Sequence, residues 1–365
     1  MTPRDLTIQI ESLIVKLKRR QIVGSFNVAI ETAMLMRKVV SQSRWNRVNQ
    51  IIAIVKDVGI RLMEAQPREL AVGNIVRRVL HLIREETHTI LEDETPASPA
   101  TAVPASSAPL RTLTTSSSML NLLEAGDQEE EDFNPNTYNL KPMIIQAIQE
   151  MIDELETVYS NIAKEAMDHI HSNEVIMTLS MSRTVREFLL FAAKKRKFSV
   201  IVAETCPSYL GHELARTLAK AGIQTTIIPD SAIFAFMARV NKVILGTHAV
   251  LANGGLIAVS GSQMLAAAAK HHSTPVVVVT GLYKLSPLYP YNVDSFNLCV
   301  APDRVLSFTE EKIMEKVDAL NPYYDYVPPE HVDLFVTNMG GHPPSYLYRL
   351  LREQYDVLDT DLSRD

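Results

Sequence analysis

Cysteine is nearly missing from this chain: Cys206 and Cys299 are the only two in 365 residues. Two such distant thiols build neither a disulfide framework nor a cysteine zinc site, so a reducing compartment is expected. The start, MTPRDLTIQI, lacks the continuous apolar core of a secretory signal and carries Asp5, so a signal peptide is not expected. The net charge of −6 gives no global attraction to nucleic acid or to anionic membrane. Residues 249–269 carry no charge, but Asn253-Gly254-Gly255, Ser260-Gly261-Ser262 and Gln263 interrupt them. A buried turn and helix is expected there rather than a membrane span. Phosphate-cradling patterns are missing too. No turn reads GxGxxG or GxxxxGK[ST], and HExxH, GxSxG and paired metal carboxylates are absent from the sequence. No metal and no cofactor is expected.

What is present is ordinary globular material, 46% hydrophobic and 21% charged, in a chain long enough for two cores. Residues 1–91 read as a helical domain. Leu6, Ile10, Leu13, Ile14 and Leu17 share one face, and Trp45, Val48, Ile51, Ile52, Val55 and Val58 share another. Residues 73–86 make a helix with Ile75, Val76, Val79, Leu80 and Ile83 inward. Its Arg77, Arg78 and Arg84 read as a solvated face or as a contact for an acidic partner. From 92 to 137 the periodicity disappears. Ala, Ser, Thr and Pro lead to a short apolar patch at 119–123 and an acidic run, DQEEED, at 127–132. This composition predicts a flexible insert. Residues 138–172 predict a long helix with Pro142 in its first turn.

Residues 173–355 alternate β-rich runs with amphipathic stretches. The runs are 174–180, 199–204, 225–230, 242–248 and 275–280, with further strands expected at 298–301 and 333–338 and a helix at 345–355. The fold class is α/β: a helical domain followed by a Rossmann-like, doubly wound parallel sheet. Ligands of such sheets bind at the carboxyl ends of the strands. Those ends offer Ser180 and Arg183, then Glu204 and Cys206, then Asp230, then His248 and Asn253. Ser180 could act as a nucleophile with His248 as base, but the sequence supplies no third group to orient that base. Ser180 is otherwise a strand-end or capping residue, and His248 a structural one. Asp230 caps the next helix or is the relic of a sugar site. Cys206 reads as an inert thiol in a turn.

These residues also carry a resemblance. Met177-Thr178, Ser182-Arg183-Thr184, Ala203-Glu204-Thr205, Asp230-Ser231-Ala232, Gly246-Thr247, Ala252-Asn253-Gly254 and His271-His272-Ser273-Thr274-Pro275 resemble the superfamily of translation initiation factor 2B regulatory subunits and methylthioribose-1-phosphate isomerases. VGNIVRRVL at 72–80, HIHSNEVIMT at 169–178, RVNKVILGT at 239–247, DYVPPE at 325–330 and NMGGHPPSYLYRL at 338–350 are similar to the beta branch of the regulatory group. The resemblance implies a sugar-phosphate isomerase scaffold in which the family's cysteine and aspartate positions hold Ser180 and His248. The arginine expected after the Glu204-Thr205 pair is Cys206. The loss of an acid/base pair and of a bidentate phosphate contact implies that isomerisation is absent.

The family further implies a non-catalytic regulatory subunit of the guanine nucleotide exchange factor for initiation factor 2, in the cytosol. Its partners would be the alpha, gamma, delta and epsilon subunits of initiation factor 2B, with exchange activity in epsilon. It would also contact the alpha subunit of factor 2, unmodified and serine-phosphorylated, and neither nucleic acid nor membrane directly. Asn338, Tyr346, Tyr348 and Arg349 are expected at a subunit interface, and Arg77, Arg78 and Arg84 at factor 2. The alternatives are a metabolite-binding regulatory subunit or an isomerase of the same fold.

Overall fold

Apolar residues recurring every three to four positions build the first helices of the computed structural model, which describes residues 3–94, 137–309, 313 and 315–362. They are α1 (Pro3–Lys18), α2 (Ser25–Gln42), α3 (Val48–Ala65), α4 (Leu70–Glu94) and α5 (Thr137–His169). Leu17, Met36, Ile51, Leu62, Leu80, Ile83, Ile144 and Ile148 meet in one core, each at 0% exposure. Each such burial contributes roughly 1.5–3 kcal/mol. The expectation for Pro142 is corrected: α5 begins five residues earlier and holds the proline inside, where it removes one intrahelical bond. The apolar patch and acidic run of the expected insert lie outside the described residues.

The chain then winds β1 (Val175–Leu179), α6 (Arg183–Ala193), β2 (Ser199–Ala203), α7 (Leu210–Lys220), β3 (Gln224–Ile228), α8 (Ile233–Met237) and β4 (Lys242–Gly246). After these come β5 (Ala249–Val250), β6 (Leu256–Val259), α9 (Ser262–His271), β7 (Val276–Val279), β8 (Tyr324–Val327), β9 (Leu334–Thr337), β10 (Gly340–His342) and α10 (Leu347–Gln354). Among the described residues the main sheet has the order β10-β9-β7-β4-β1-β2-β3. Its strands are parallel except β10, which pairs antiparallel with β9. Strand side chains alternate between two cores. Ile176, Val200, Val202 and Ile244 face the helices α5 and α6, while Met177, Ile201, Val243 and Leu245 face α8, α9 and α10. The winding reverses between β1 and β4, which makes that junction the switch point of the sheet.

Two strand expectations are corrected. The uncharged stretch at 249–269 holds the β5–β6 hairpin before its helix, and β6 pairs with β8 through Ile257↔Tyr326 to make a small antiparallel sheet. Residues 298–301 contribute only the bridge Cys299↔Pro322. Pro322 has no N–H to extend that pairing.

The arginines of α4 all bond within the chain, Arg77 buried and Arg78 and Arg84 partly exposed. Arg77 is buried and its Nε donates to the Thr360 carbonyl at 3.0 Å. Arg78 donates to the Glu353 carbonyl at 3.1 Å. Arg84 grips both carboxylate oxygens of Asp359, at 2.8 and 3.1 Å, and Lys56 reaches the same group at 2.9 Å. Asp359 is fully buried. Burial alone would raise its pKa, but the Arg84 and Lys56 bonds hold it below the ordinary carboxylate range. Tyr355 adds a bond from its hydroxyl to the Leu285 carbonyl at 2.6 Å. The chain after α10 is thus clasped onto α3 and α4. Among the described residues no helix is long and apolar enough to cross a membrane.

Candidate functional site

The switch point opens into a cavity of about 360 Å³ between the helices and the sheet, with Ser25, Glu69, Arg183, His248, Lys284 and Tyr324 among its lining residues. The start of α2 brings Ser25, the turn before α4 brings Glu69, and the end of β4 brings His248. The loop after β7 brings Lys284, and β8 brings Tyr324. The end of β1 turns sharply. Ser180 has φ 63° and a buried Oγ without a hydrogen-bond partner. It does not cap α6; Ser182 does, its Oγ accepting from the Val185 N–H at 3.5 Å.

His248 is held on every side. Its Nδ1 lies 2.9 Å from Ser25 Oγ and 3.2 Å from the Tyr324 hydroxyl, and its ring stacks on Tyr324 at 4.5 Å. Its Nε2 stands 3.5 Å from Glu69 Oε1. Burial lowers its pKa despite Glu69, so the ring is neutral at pH 7. Ser180 is not its partner. Lys284 donates to the Thr247 carbonyl at 2.8 Å, and burial lowers its pKa to about 8. Arg183 lies over the rings of Tyr159 at 4.7 Å and Phe26 at 5.3 Å.

The other strand ends lie apart from this lining. Asp230 does not cap a helix. Its two carboxylate oxygens accept from the Thr205 N–H at 2.9 Å and the Cys206 N–H at 2.6 Å, closing the turn after β2. Glu204 faces His212 at 3.5 Å, and the Cys206 thiol is exposed. Asn253 shapes the β5–β6 turn, accepting from the Gly255 N–H at 2.9 Å and donating to the Tyr326 hydroxyl at 2.7 Å. So Arg183 and His248 share one cavity, while Glu204, Cys206 and Asp230 form a second cluster and Asn253 stands alone. Among the described residues no group of three or more His, Cys, Asp or Glu side chains is arranged to hold a metal.

Sequence reasoning passed over Ser25, Glu69, Lys284 and Tyr324. Lys284 gave a usable signal, being a lone cation in the otherwise uncharged GLYKLSPLYP. Of the expected interface residues, Asn338 bonds inward to Glu154 at 2.8 Å and to the Leu282 N–H at 3.2 Å. Tyr346 stacks on His342 at 4.8 Å. Tyr348 and Arg349 point outward, Tyr348 59% exposed with Arg352 above its ring at 5.2 Å.

Residues 21–344 match the model of the initiation factor 2 subunit family. Translation initiation factor eIF2B subunit beta of Schizosaccharomyces pombe is 48% identical over 381 aligned positions, covering 97% of each chain. The crystal structure of eIF2B beta from Chaetomium thermophilum superposes with a TM-score of 0.71 at 31% identity, covering 97% of this chain and 93% of that one. A chain of the tetrameric eIF2B-beta2-delta2 complex from the same fungus gives 0.70 at 30% identity, covering 96% and 95%.

Proposed function

This chain belongs to the initiation factor 2 subunit family, and we propose that it serves there as a non-catalytic regulatory subunit of the beta type. The observation that carries the reading is the 48% identity to an eIF2B beta subunit along 97% of both chains. The site agrees with it. Ser180 and His248, where the resemblance places an acid/base pair, do not bond to each other, and His248 is tied to Ser25 and Tyr324. A base bonded to other groups and not to Ser180 is not placed to take the Ser180 proton.

The chain assembles with a delta-type subunit, a reading supported by its similarity to a chain of the tetrameric eIF2B-beta2-delta2 complex. Through that core it joins the alpha, gamma and epsilon subunits in the cytosol. The assembly binds the alpha subunit of initiation factor 2 and separates its phosphorylated from its unmodified form. The three α4 arginines each bond within the chain, which weighs against their reaching that partner.

Affinity purification of the tagged full chain from cell extract, with the bound proteins identified by mass spectrometry, tests the reading. Delta- and alpha-type subunits are expected in the eluate. A double variant, Tyr348→Ala with Arg349→Ala, should reduce their recovery, because exposed Tyr and Arg are frequent interface anchors. A stable monomer without partners would overturn the proposal. Truncation after residue 338 is a poor test, since it also removes the Asp359 clasp.

A further inference from the structure

Between Glu31 and Asp57 the chain carries Arg37, Lys38, Arg44, Arg47 and Lys56 and no carboxylate. Lys56 is paired with Asp359, and Arg37 donates to Gln149. The other three stand where α2 ends and α3 begins, and all three are exposed. Neither Lys38 nor Arg44 is paired with a carboxylate among the described residues. The first turn of α3 has no acidic residue, and Arg47 at its cap makes no side-chain capping bond. The positive end of that helix dipole therefore adds to the same field. Beside this corner α1 and α2 form a groove of about 280 Å³, with Ile8, Leu13, Met34 and Leu35 in its lining and Lys16 and Lys38 among them. Glu31 is the one carboxylate in that lining.

The chain's own sequence holds the complement. From 112 to 140 it has no Lys or Arg, and residues 119–132 read MLNLLEAGDQEEED, an apolar patch followed by an acidic run. The tether sets the reach. Lys141, in the first turns of α5, donates to the Ser43 carbonyl at 3.0 Å, so α5 starts beside the end of α2. Asp132 is five residues before Thr137, hence within about 18 Å of it. Lys38 is five residues before Ser43, about 7.5 Å along α2. The order agrees too. In the tether the acidic run is nearer the α5 anchor than the apolar patch, and along α2 Lys38 is nearer that anchor than Met34 of the groove.

The α4–α5 side of α2 is a poor alternative. Burial raises the pKa of Glu86, and Glu85 and Glu150 beside it raise it further, so an acidic run would meet like charge there. On the basic side each exposed pair is weak. A short tether, however, holds the run at an effective concentration of about a millimolar.

We propose that the acidic run at 127–132 docks on the basic corner formed by Lys38 and Arg44, with the apolar patch at 119–123 laid in the α1–α2 groove. The inference goes beyond the subunit reading and does not depend on it. Docked there, the segment neutralises the corner and competes with any acidic partner for it.

The test uses the full chain. Zero-length carbodiimide coupling joins a lysine amine only to a carboxylate that touches it. Peptide mapping of chains that still migrate as monomers should find Lys38 joined to residues 127–132. The yield should fall severalfold as salt rises from about 0.1 M to about 1 M, where screening shortens from about 10 Å to about 3 Å. A second chain carries Asp127→Asn, Glu129→Gln, Glu130→Gln, Glu131→Gln and Asp132→Asn together. Hexaglutamate should bind it at least about tenfold more tightly than it binds the unaltered chain, because the tethered competitor is gone. Adding Lys38→Ala and Arg44→Ala to that second chain should abolish the binding. Both positions are exposed, and should this third chain fold poorly, the first two still test the contact.

No Lys38 coupling to the run in the unaltered chain would overturn the proposal. Equal hexaglutamate binding by the first two chains would overturn it as well, leaving the corner open to a separate acidic partner. So would coupling of the run to another subunit in the purified complex in place of Lys38. Loss of partner subunits in affinity purification would instead count against the subunit reading and leave this contact unaffected.

Discussion

The turns after β2 and β4 lie on the same side of one sheet, and the chain treats them in opposite ways. At β2 the turn closes on itself. Asp230 accepts from the Thr205 and Cys206 amides, Glu204 faces His212, and α7 packs tightly through Gly211. At β4 the turn opens into a cavity whose buried Glu69 oxygen has no bond. The difference teaches that a strand end is a ligand site by default only until its own loop satisfies it. Equivalent positions of one fold can be sealed or left open by a single carboxylate.

The largest expected effect strikes the sealed end. A Cβ on Gly211 would fall on the Ala203 carbonyl, nearer than real Cβ atoms come. Gly211→Ala should therefore lower the unfolding free energy by about 3 kcal/mol, the cost of overpacking against rigid backbone. Denaturant titration measures it, and a loss below about 0.5 kcal/mol would mean that α7 is loosely seated. Next comes Asp230→Ala, which leaves two amides without their charged acceptor. A loss of about 2 kcal/mol is expected, with faster hydrogen exchange at Thr205 and Cys206. Unchanged exchange there would show that the turn does not depend on the carboxylate.

The smallest effect belongs to the open end and depends on pH. Burial lowers the pKa of His248 in the folded chain, so between the folded value and about 6.5 the unfolded chain binds the extra proton. The contribution is complete above about 6.5 and is lost as pH falls through that window. His81 and His169, also lowered chiefly by burial, act in the same sense. His248→Gln should flatten the slope of stability against pH relative to the unaltered chain. An unchanged slope would place the titration elsewhere.

The same contrast explains what could be read from the sequence. Parallel strands buried on both faces leave unbroken apolar runs, so 199–204, 242–248 and 275–280 stood out. The β5–β6–β8 sheet did not, because its pairing joins Ile257 to Tyr326 across a long loop and leaves no local period. Arg77, Arg78 and Arg84 resemble a solvated face because their acceptors lie about 280 residues away. At the site, Arg183 and His248 were visible as strand-end residues. Ser25 and Glu69 were not, since they come from helix entrances that mark no site until the helices pack on the sheet.

The clasp of Asp359 on Arg84 and Lys56 has a mechanical consequence. The helices and the sheet are joined covalently where α5 enters β1, and joined again where the last residues return to α3 and α4. These attachments, together with the Asn338–Glu154 and Ser25–His248 contacts, oppose a hinge motion. A rotation of the sheet beneath the helices must first release a fully buried carboxylate from two cations. Breaking one partner out of such a buried ion cluster is costly, so the clasp stiffens the seam that holds the cavity.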